Sequence, residues 1–433
     1  MEMEIKNKAQ KESHLQGSPV YVRWLLSGGL ICWALMMHAQ PKVNFAPKAY
    51  DLVREEENVI QNAAHLDDFF ENLYQLKTLG DRKINIVHIG DSHIQADYLT
   101  NMVRRNFQQQ FGNAGRGLIV PYRVAGTNEP FNIKSYSPSP SFWRAKRCVY
   151  PDQPMAIGIG GITVNTTQPN TRLNIYMNDL WLDYSFNTVT LFYQKDANSF
   201  CFLLKDTTNQ ELACVAPQTE DPFANYSRVI LPNLVGAITF ETFKTASGQN
   251  HATIFGMNLE NGKNGVLYHN IGVNGAKYAH YNAALHFTRQ SAALNPDVFI
   301  ISLGTNEALD YPYLDRNFYQ HIDKMITGLR NNNPLAKFIL VTPQDAFRRK
   351  ARHNPGVAKI REQIIQYAVE HGLAFWDMYK VTGGDYAAQA WRKEGLLRPD
   401  GVHFTKDGYE YQGNLLYNAL MKGYHQYVPV RHP

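Results

Sequence analysis

Short apolar, β-rich segments alternate with helical segments in two separated parts of the sequence. In the first part, the aliphatic run 84–89 ends at Gly90-Asp91-Ser92 and is followed by a helical pattern over 96–110. The same alternation returns after residue 265. Strands that alternate with helices favour a mostly parallel sheet whose connections cross over the faces of the sheet. We therefore predict an α/β fold.

The remaining elements of this pattern are read from hydrophobic spacing. Residues 48–79 show apolar side chains at helical intervals before the first strand. After residue 265 the predicted strands cover 298–303, 338–341 and 373–376, and the predicted helices cover 315–331, 356–371 and 406–424.

Residues 121–265, between the two α/β parts, differ in composition and in the spacing of their apolar runs. They are rich in Thr, Asn, Tyr and Phe, and their apolar runs, such as 188–193 and 199–204, are separated by turn residues. Short strands with frequent turn signals are typical of an antiparallel sandwich. We predict a β-rich domain here, inserted into one α/β domain whose two parts span 40–120 and 266–433.

The N-terminal 39 residues look like a secretory signal peptide. Arg23 precedes an apolar stretch over 24–37, and Ala39 precedes a polar segment. This stretch is short for a membrane span, which needs about 20 residues. We expect cleavage near Ala39, export to the periplasm or the extracellular space, and no stable membrane insertion afterwards. The alternative is an uncleaved N-terminal anchor.

Composition excludes some partners and leaves others open. The formal net charge of +5 on 433 residues is not typical of a nucleic-acid-binding protein. The cysteines that follow the signal, Cys148, Cys201 and Cys214, lack metal-site spacing, and no histidine pair has it either. Cys201 and Cys214 flank a predicted hairpin, where they could form a disulfide or remain two buried thiols. We expect no metal and no cofactor.

Three short polar segments carry residues suited to acyl chemistry. Ser92 follows a strand and precedes a helix, where backbone N–H groups can stabilise an oxyanion. Asn306 follows the strand at 298–303, and its amide could donate to the same charge. Asp400 and His403 are close enough in sequence for the carboxylate to orient an imidazole that accepts the serine proton. Each segment alone also fits a plain turn or helix cap.

Taken together, these segments resemble the conserved blocks of the SGNH/GDSL hydrolase superfamily. A further match is the stretch 270–275, which ends in Gly275. The resemblance implies a three-layer sandwich with a mostly parallel sheet. It also implies Ser92 as nucleophile, His403 as base and Asp400 as its orienting acid. The amides of Ser92 and Gly275 and the side chain of Asn306 would form the oxyanion hole.

A narrower resemblance is to bacterial peptidoglycan O-acetylesterases. It rests on the stretches 90–97 and 111–117, with His93 directly after the serine. Those enzymes carry a β-sandwich resembling a carbohydrate-binding module, which implies the same for residues 121–265. His93 and Asp97 are weak candidates for substrate binding, since packing or capping explains them equally well.

The resemblance implies a serine esterase that removes O-acetyl groups from peptidoglycan, and we expect it to be a monomer. Three alternatives stay open. The substrate could be another acetylated polysaccharide such as xylan, the chain could be a non-catalytic glycan-binding protein, or the same triad could transfer acetyl groups to sugars. Glu307, beside Asn306, is expected to orient loops rather than to react.

Overall fold

A computed structural model of the chain describes residues 50–150, 155–217, 226–349 and 351–430. The predicted signal peptide lies outside the described residues. Within them, no helix is both long and apolar enough to cross a membrane.

The described residues form 18 strands and 11 α-helices. The strands are β1 Lys83–Gly90, β2 Gly115–Ile119, β3 Ile133–Tyr136, β4 Trp143–Arg147, β5 Ile162–Thr166, β6 Arg172–Met177, β7 Phe186–Tyr193, β8 Cys201–Lys205, β9 Glu211–Val215, β10 Tyr226–Val235, β11 Ala237–Phe243, β12 Ala252–Glu260, β13 Gly265–Gly272, β14 Val298–Ser302, β15 Lys337–Val341, β16 Phe347–Arg348, β17 Arg352–His353 and β18 Ala374–Trp376. The α-helices are α1 Asp67–Leu79, α2 Ser92–Gln95, α3 Tyr98–Phe111, α4 Tyr278–Asn282, α5 Phe287–Ser291, α6 Thr305–Leu309, α7 Phe318–Asn332, α8 Pro355–Glu370, α9 Met378–Val381, α10 Ala387–Lys393 and α11 Lys406–Tyr427.

The central sheet is parallel and has the order β13-β1-β14-β15-β18. Its strands are apolar on both faces, as expected for a sheet covered by helices on each side. In β1, Val87 and Ile89 belong to one apolar core, whereas Ile84 and Ile86 belong to another. The sheet therefore separates two cores, and the predicted layering of helices around a parallel sheet is present.

Two antiparallel sheets accompany the parallel one. The first has the order β10-β7-β12-β5-β4, with β2 also paired to β12, and the second has the order β3-β6-β11-β8-β9. They share an apolar core that includes Leu191 and Met257 from the first sheet and Leu173 and Phe240 from the second. The fold is thus α/β with mixed sheets. The antiparallel pairing starts at β2, before the predicted boundary at residue 121.

The predicted helix over 48–79 is wrong in its first half. Only α1 is an α-helix, and it is preceded by short 3₁₀ turns at Glu55–Glu57 and Ala63–Leu66. Asn62 has a positive φ of 52°, and Gln61 forms a β-bridge with Phe375 at the edge of the parallel sheet. Pairing with the sheet edge therefore overrides the helical spacing in this segment.

Cys201 and Cys214 are free thiols, the first buried and the second exposed. The predicted hairpin exists as β8 and β9, but its ladder pairs Cys214 with Leu203 instead of Cys201. The register is irregular between Leu204 and Lys205, beside the turn. This displacement removes the direct opposition that a cross-strand disulfide needs.

A buried ion cluster joins the sheets behind helix α3. Asp97 is fully buried and accepts hydrogen bonds from Arg104 at 2.6 Å and from Arg116 of β2 at 2.7 Å. Asn270 of β13 donates to the same carboxylate at 2.8 Å. Burial would raise the pKa of Asp97, but the two guanidinium groups hold it at about 2.

We predict that Asp97→Asn lowers the free energy of unfolding by about 3–5 kcal/mol, because it leaves two buried arginines without their counter-charge. Urea unfolding at pH 7 measures this. The depressed folded pKa also means that the stabilisation is present above about pH 4 and is lost as pH falls to about 2.

The matched control is Asp68→Asn, which removes a carboxylate that pairs with Lys337 at the surface and is 75% exposed. It should change stability by no more than about 0.5 kcal/mol. Equal effects of the two substitutions would contradict the stabilising role of the buried cluster.

Candidate active site

The predicted site residues lie at the carboxyl edge of the parallel sheet. Ser92 starts α2 directly after β1, Gly275 lies in the loop after β13, and Asn306 lies in α6 after β14. Strand β1 is flanked by β13 and β14, so these three connections are neighbours in space. Asp400 and His403 reach the same edge from the loop before α11. This edge is where open α/β sheets place their ligand sites.

Two glycines allow the turn that carries Ser92 to pack closely against the sheet. A Cβ atom on Gly90 would lie 2.8 Å from the carbonyl oxygen of Ser302, and one on Gly272 would lie 2.2 Å from the backbone nitrogen of Gln95. Larger residues at either position would push α2 away from β13 and β14. The glycines thus fix the depth at which the serine sits.

Ser92, His403 and Asp400 form a continuous chain of hydrogen bonds. The Nε2 atom of His403 is 2.9 Å from the Oγ atom of Ser92, and its Nδ1 atom is 3.0 Å from Oδ2 of Asp400. The other carboxylate oxygen of Asp400 accepts the backbone N–H groups of Val402 and His403 at 2.8 and 2.9 Å. Partial burial would raise the pKa of Asp400, but these donors lower it below its ordinary value.

The arrangement has the geometry of a nucleophile, a base and a group that orients the base. The side chains of His403 and Asp400 are 39% and 47% exposed, so the pair lies at an accessible surface. This geometry suits acyl transfer in which the serine attacks a carbonyl group.

Two backbone N–H groups in the site are available to bind an oxyanion. Among the described residues, neither the N–H of Ser92 nor that of Gly275 donates to a protein acceptor. The amide nitrogen of Asn306 is already engaged, since it donates to the carbonyl of Ala276 at 3.0 Å and to Oδ2 of Asp91 at 3.1 Å. The structure therefore brings the three predicted donors together, with the third held in place by the protein.

An open cleft of about 600 Å³ surrounds Ser92. Besides the predicted residues, side chains from four other segments line it, namely Ala96 and Tyr98, Asn128 and Glu129, Asn274, and Arg398 and Tyr409. The ring of Tyr98 stacks on that of Phe131, with centroids 5.5 Å apart, and lies 6.4 Å from that of Tyr409. Ala96 and Asn274 lie in the stretches 90–97 and 270–275 that the sequence singled out, but the sequence carried no signal for the other residues, which only the folded chain brings to the cleft.

His93 and Asp97, the weak candidates for substrate binding, do not line this cleft. The ring of His93 lies between Asp91 and the backbone carbonyl of Val402. Asp97 is fully buried within its ion cluster. The structure thus assigns both side chains to contacts inside the protein.

Glu307 is a buried acid next to Asn306. Its Oε1 atom accepts the backbone N–H of Tyr278 at 2.9 Å, and its Oε2 atom has no hydrogen-bond partner in the described part of the chain. Burial raises the pKa of Glu307 to about 7. The contact ties α6 to the start of α4 and so helps to hold the loop that contains Gly275.

In the described residues, no group of three or more His, Cys, Asp or Glu side chains could hold a metal ion.

The chain is similar to one protein family and to several solved structures. Residues 238–411 match the GDSL-like lipase/acylhydrolase family. The matched range includes Gly275, Asn306, Asp400 and His403 but not Ser92, which precedes the antiparallel sheets. The family match supports a hydrolase that acts on acyl groups. No curated protein sequence matches the chain significantly.

Among solved structures, a peptidoglycan O-acetylesterase has a TM-score of 0.70 and 18% identity, and the likeness covers 87% of this chain and 99% of that one. This likeness shows the fold. A lipase/acylhydrolase from Enterococcus faecalis has a TM-score of 0.28 and 23% identity, with 36% and 75% coverage. The salicylyl-acyltransferase SsfX3 has a TM-score of 0.31 and 13% identity, with 70% and 100% coverage.

We predict that Glu307→Gln makes the folded state more stable at pH 8, because the glutamine keeps the acceptor for Tyr278 and removes a buried charge. The raised folded pKa of about 7 means that the wild-type residue contributes stability that is present below about pH 4.5 and is lost as pH rises through about 7. The difference at pH 8 should reach about 3 kcal/mol at most.

Urea unfolding between pH 5 and pH 8 measures this effect, and Glu362→Gln on the exposed face of α8 is the control. If the free energy of unfolding depends on pH in the same way in wild type and Glu307→Gln, then ionisation of Glu307 does not destabilise the folded state.

Proposed function

Because the chain joins a GDSL-like acylhydrolase segment to the fold of a peptidoglycan O-acetylesterase, we propose that it is a serine esterase that removes O-acetyl groups from a cell-wall glycan, namely peptidoglycan. The observation that carries this proposal is the hydrogen-bonded chain from Asp400 through His403 to Ser92, which opens into a cleft with two unengaged N–H groups.

The reaction follows from the positions of these groups. His403 accepts the proton of Ser92 at Nε2 while Oγ attacks the acetyl carbonyl. The N–H groups of Ser92 and Gly275 stabilise the resulting oxyanion, and the amide of Asn306 joins them by releasing one of its two present acceptors, Asp91 or Ala276. The intermediate then collapses, His403 returns the proton to the sugar oxygen, and the glycan leaves with a free hydroxyl group. Water, deprotonated by His403, attacks the acetyl-serine and releases acetate.

The shape of the site favours a polymeric substrate. The cleft is open, and Tyr98, which is half-buried in its wall and stacked on Phe131, offers apolar ring surface to a sugar. The solved structure that covers 87% of this chain is called a peptidoglycan O-acetylesterase, which supports peptidoglycan among the acetylated glycans.

The predicted export and domain organisation suit this role. A signal peptide over residues 1–39 would deliver the enzyme to the periplasm or the extracellular space, where peptidoglycan lies. The inserted domain over 121–265 would act as a carbohydrate-binding module between the two hydrolase parts at 40–120 and 266–433. The active unit would be a monomer that needs no cofactor.

We predict that the full chain releases acetate from O-acetylated peptidoglycan and that Ser92→Ala lowers this rate at least about 10⁴-fold, because the acyl-enzyme can no longer form. Enzymatic quantification of acetate measures it, and acetylated xylan is the comparison substrate. Ser247→Ala, in an exposed turn after β11, is the control and should remain fully active.

Release from peptidoglycan alone would support the full proposal. Release mainly from xylan would keep the esterase chemistry and overturn the cell-wall substrate. Activity on neither substrate by a folded protein that still binds glycan would contradict the esterase and favour a binding protein.

We predict that Asn306→Ala lowers kcat by about 10²–10³-fold with little change in KM, since an oxyanion-hole donor acts mainly in the transition state. Steady-state kinetics with a soluble aryl acetate measure this without a polymeric substrate. A raised KM with unchanged kcat would instead place Asn306 in ground-state binding.

A further inference from the structure

The ring of His93 is held by an acceptor at each nitrogen. Its Nδ1 atom is 2.8 Å from Oδ1 of Asp91, and its Nε2 atom is 3.1 Å from the backbone oxygen of Val402. A backbone carbonyl and an ionised carboxylate can only accept hydrogen bonds, and a neutral imidazole carries only one N–H. Both contacts are therefore hydrogen bonds only if each ring nitrogen carries a proton.

We propose that His93 is a positively charged positioning residue of the esterase reaction, which neutralises Asp91 beside the oxyanion hole and holds the loop that carries the catalytic base. The expected effect of His93 on catalysis rests on the proposed function. The charge state of His93 can be measured independently.

The first task of His93 follows from the position of Asp91. The side chain of Asp91 is only 1% exposed, and its Oδ2 atom accepts the amide of Asn306 at 3.1 Å. An unneutralised carboxylate at this distance from an oxyanion donor would repel the negative charge that develops in the transition state. With His93 charged, Asp91 can hold the Asn306 amide in place without adding net negative charge.

The second task follows from the position of Val402, which lies between Asp400 and His403. The hydrogen bond from Nε2 of His93 fixes the backbone of this loop. The rings of His93 and His403 also stack, with centroids 5.5 Å apart and an interplanar angle of 26°. His93 thereby connects the oxyanion side of the site to the base side.

The charged and polar groups around His93 favour the protonated form of its ring. The groups that face its ring are Asp91 from the end of β1, Asp400 and His403 from the catalytic loop, and Tyr409 from α11. Burial would lower the pKa of His93, but the Asp91 carboxylate, the Val402 carbonyl and the Asp400 carboxylate raise it above its ordinary value. This shift agrees with the geometry of the two hydrogen bonds.

The direct test is nitrogen NMR of the full chain labelled at its histidine side chains. The His93 resonances are assigned by their loss in His93→Gln. We expect both ring nitrogens to be protonated at pH 7. A neutral tautomer at pH 7 would overturn the proposal whether or not the protein is an esterase.

The kinetic test uses a soluble aryl acetate and a double-mutant cycle between His93 and Asp91. His93→Gln should lower kcat about 10²-fold with little change in KM, as expected when catalytic groups are misplaced. The double variant Asp91→Asn/His93→Gln should recover part of kcat, because the charge that needs neutralising is gone. His321→Gln removes a histidine that pairs with Asp315 at the surface, and it should leave the kinetics unchanged.

Losses that multiply in the double variant would contradict charge neutralisation and leave His93 a packing residue. Thermal unfolding identifies variants that are merely unfolded, and if His93→Gln is one of them, a folded His93→Asn variant serves for the NMR assignment instead. If Ser92→Ala keeps activity, the proposed function fails, while the protonation of His93 still stands or falls on its own measurement.

Discussion

The pairing of Asp97 with Arg104 and Arg116 is the contact on which the relation between the sheets depends. Three charged groups with almost no exposure must recover their lost hydration from one another, so their positions are tightly coupled. Arg104 extends from α3 and also donates to the backbone of Tyr268 in β13, whereas Arg116 belongs to β2 of the antiparallel sheet. One carboxylate thus fixes a helix, a parallel strand and an antiparallel strand. Since Asp97 lies five residues after Ser92, the same cluster anchors the segment that carries the nucleophile.

Two aspartate–histidine pairs lie next to each other near Ser92. In the outer pair, Asp400 and His403 are accessible to solvent, and their orientation comes from short-range hydrogen bonds within one loop. The inner pair, Asp91 and His93, is largely buried and contacts both Asn306 and the outer loop. The outer pair is therefore accessible to molecules that enter the cleft, while the inner pair is held by contacts inside the protein. Polar groups that are held in fixed positions in this way can stabilise developing charge without having to rearrange during the reaction.

Local patterns in the sequence were sufficient for the elements that depend on local forces. The strands β14 and β15 and the helices α7, α8 and α11 were predicted within a few residues, because apolar spacing alone specifies them. The blocks around Ser92 and Asn306 were found because each is short and follows a strand, and the block around His403 was found because Asp400 lies three residues before it. Pairing between distant segments was not accessible in this way. It explains the misplaced helix before Asp67, the two-residue displacement at Cys214, and the internal positions of His93 and Asp97.

The cleft shows why those distant contacts matter for chemistry. One wall comes from the loops that carry Ser92, Gly275 and His403, but Asn128 and Glu129 belong to the segment that leads into β3 of the second antiparallel sheet. The β-rich segment therefore contributes directly to the surroundings of Ser92, whether or not it also binds glycan by itself. It also separates Ser92 from the other catalytic blocks, which explains why the family match starts within β11 and leaves out the nucleophile. The site exists only when the chain returns from the antiparallel sheets through β13 and places Gly275 beside Ser92.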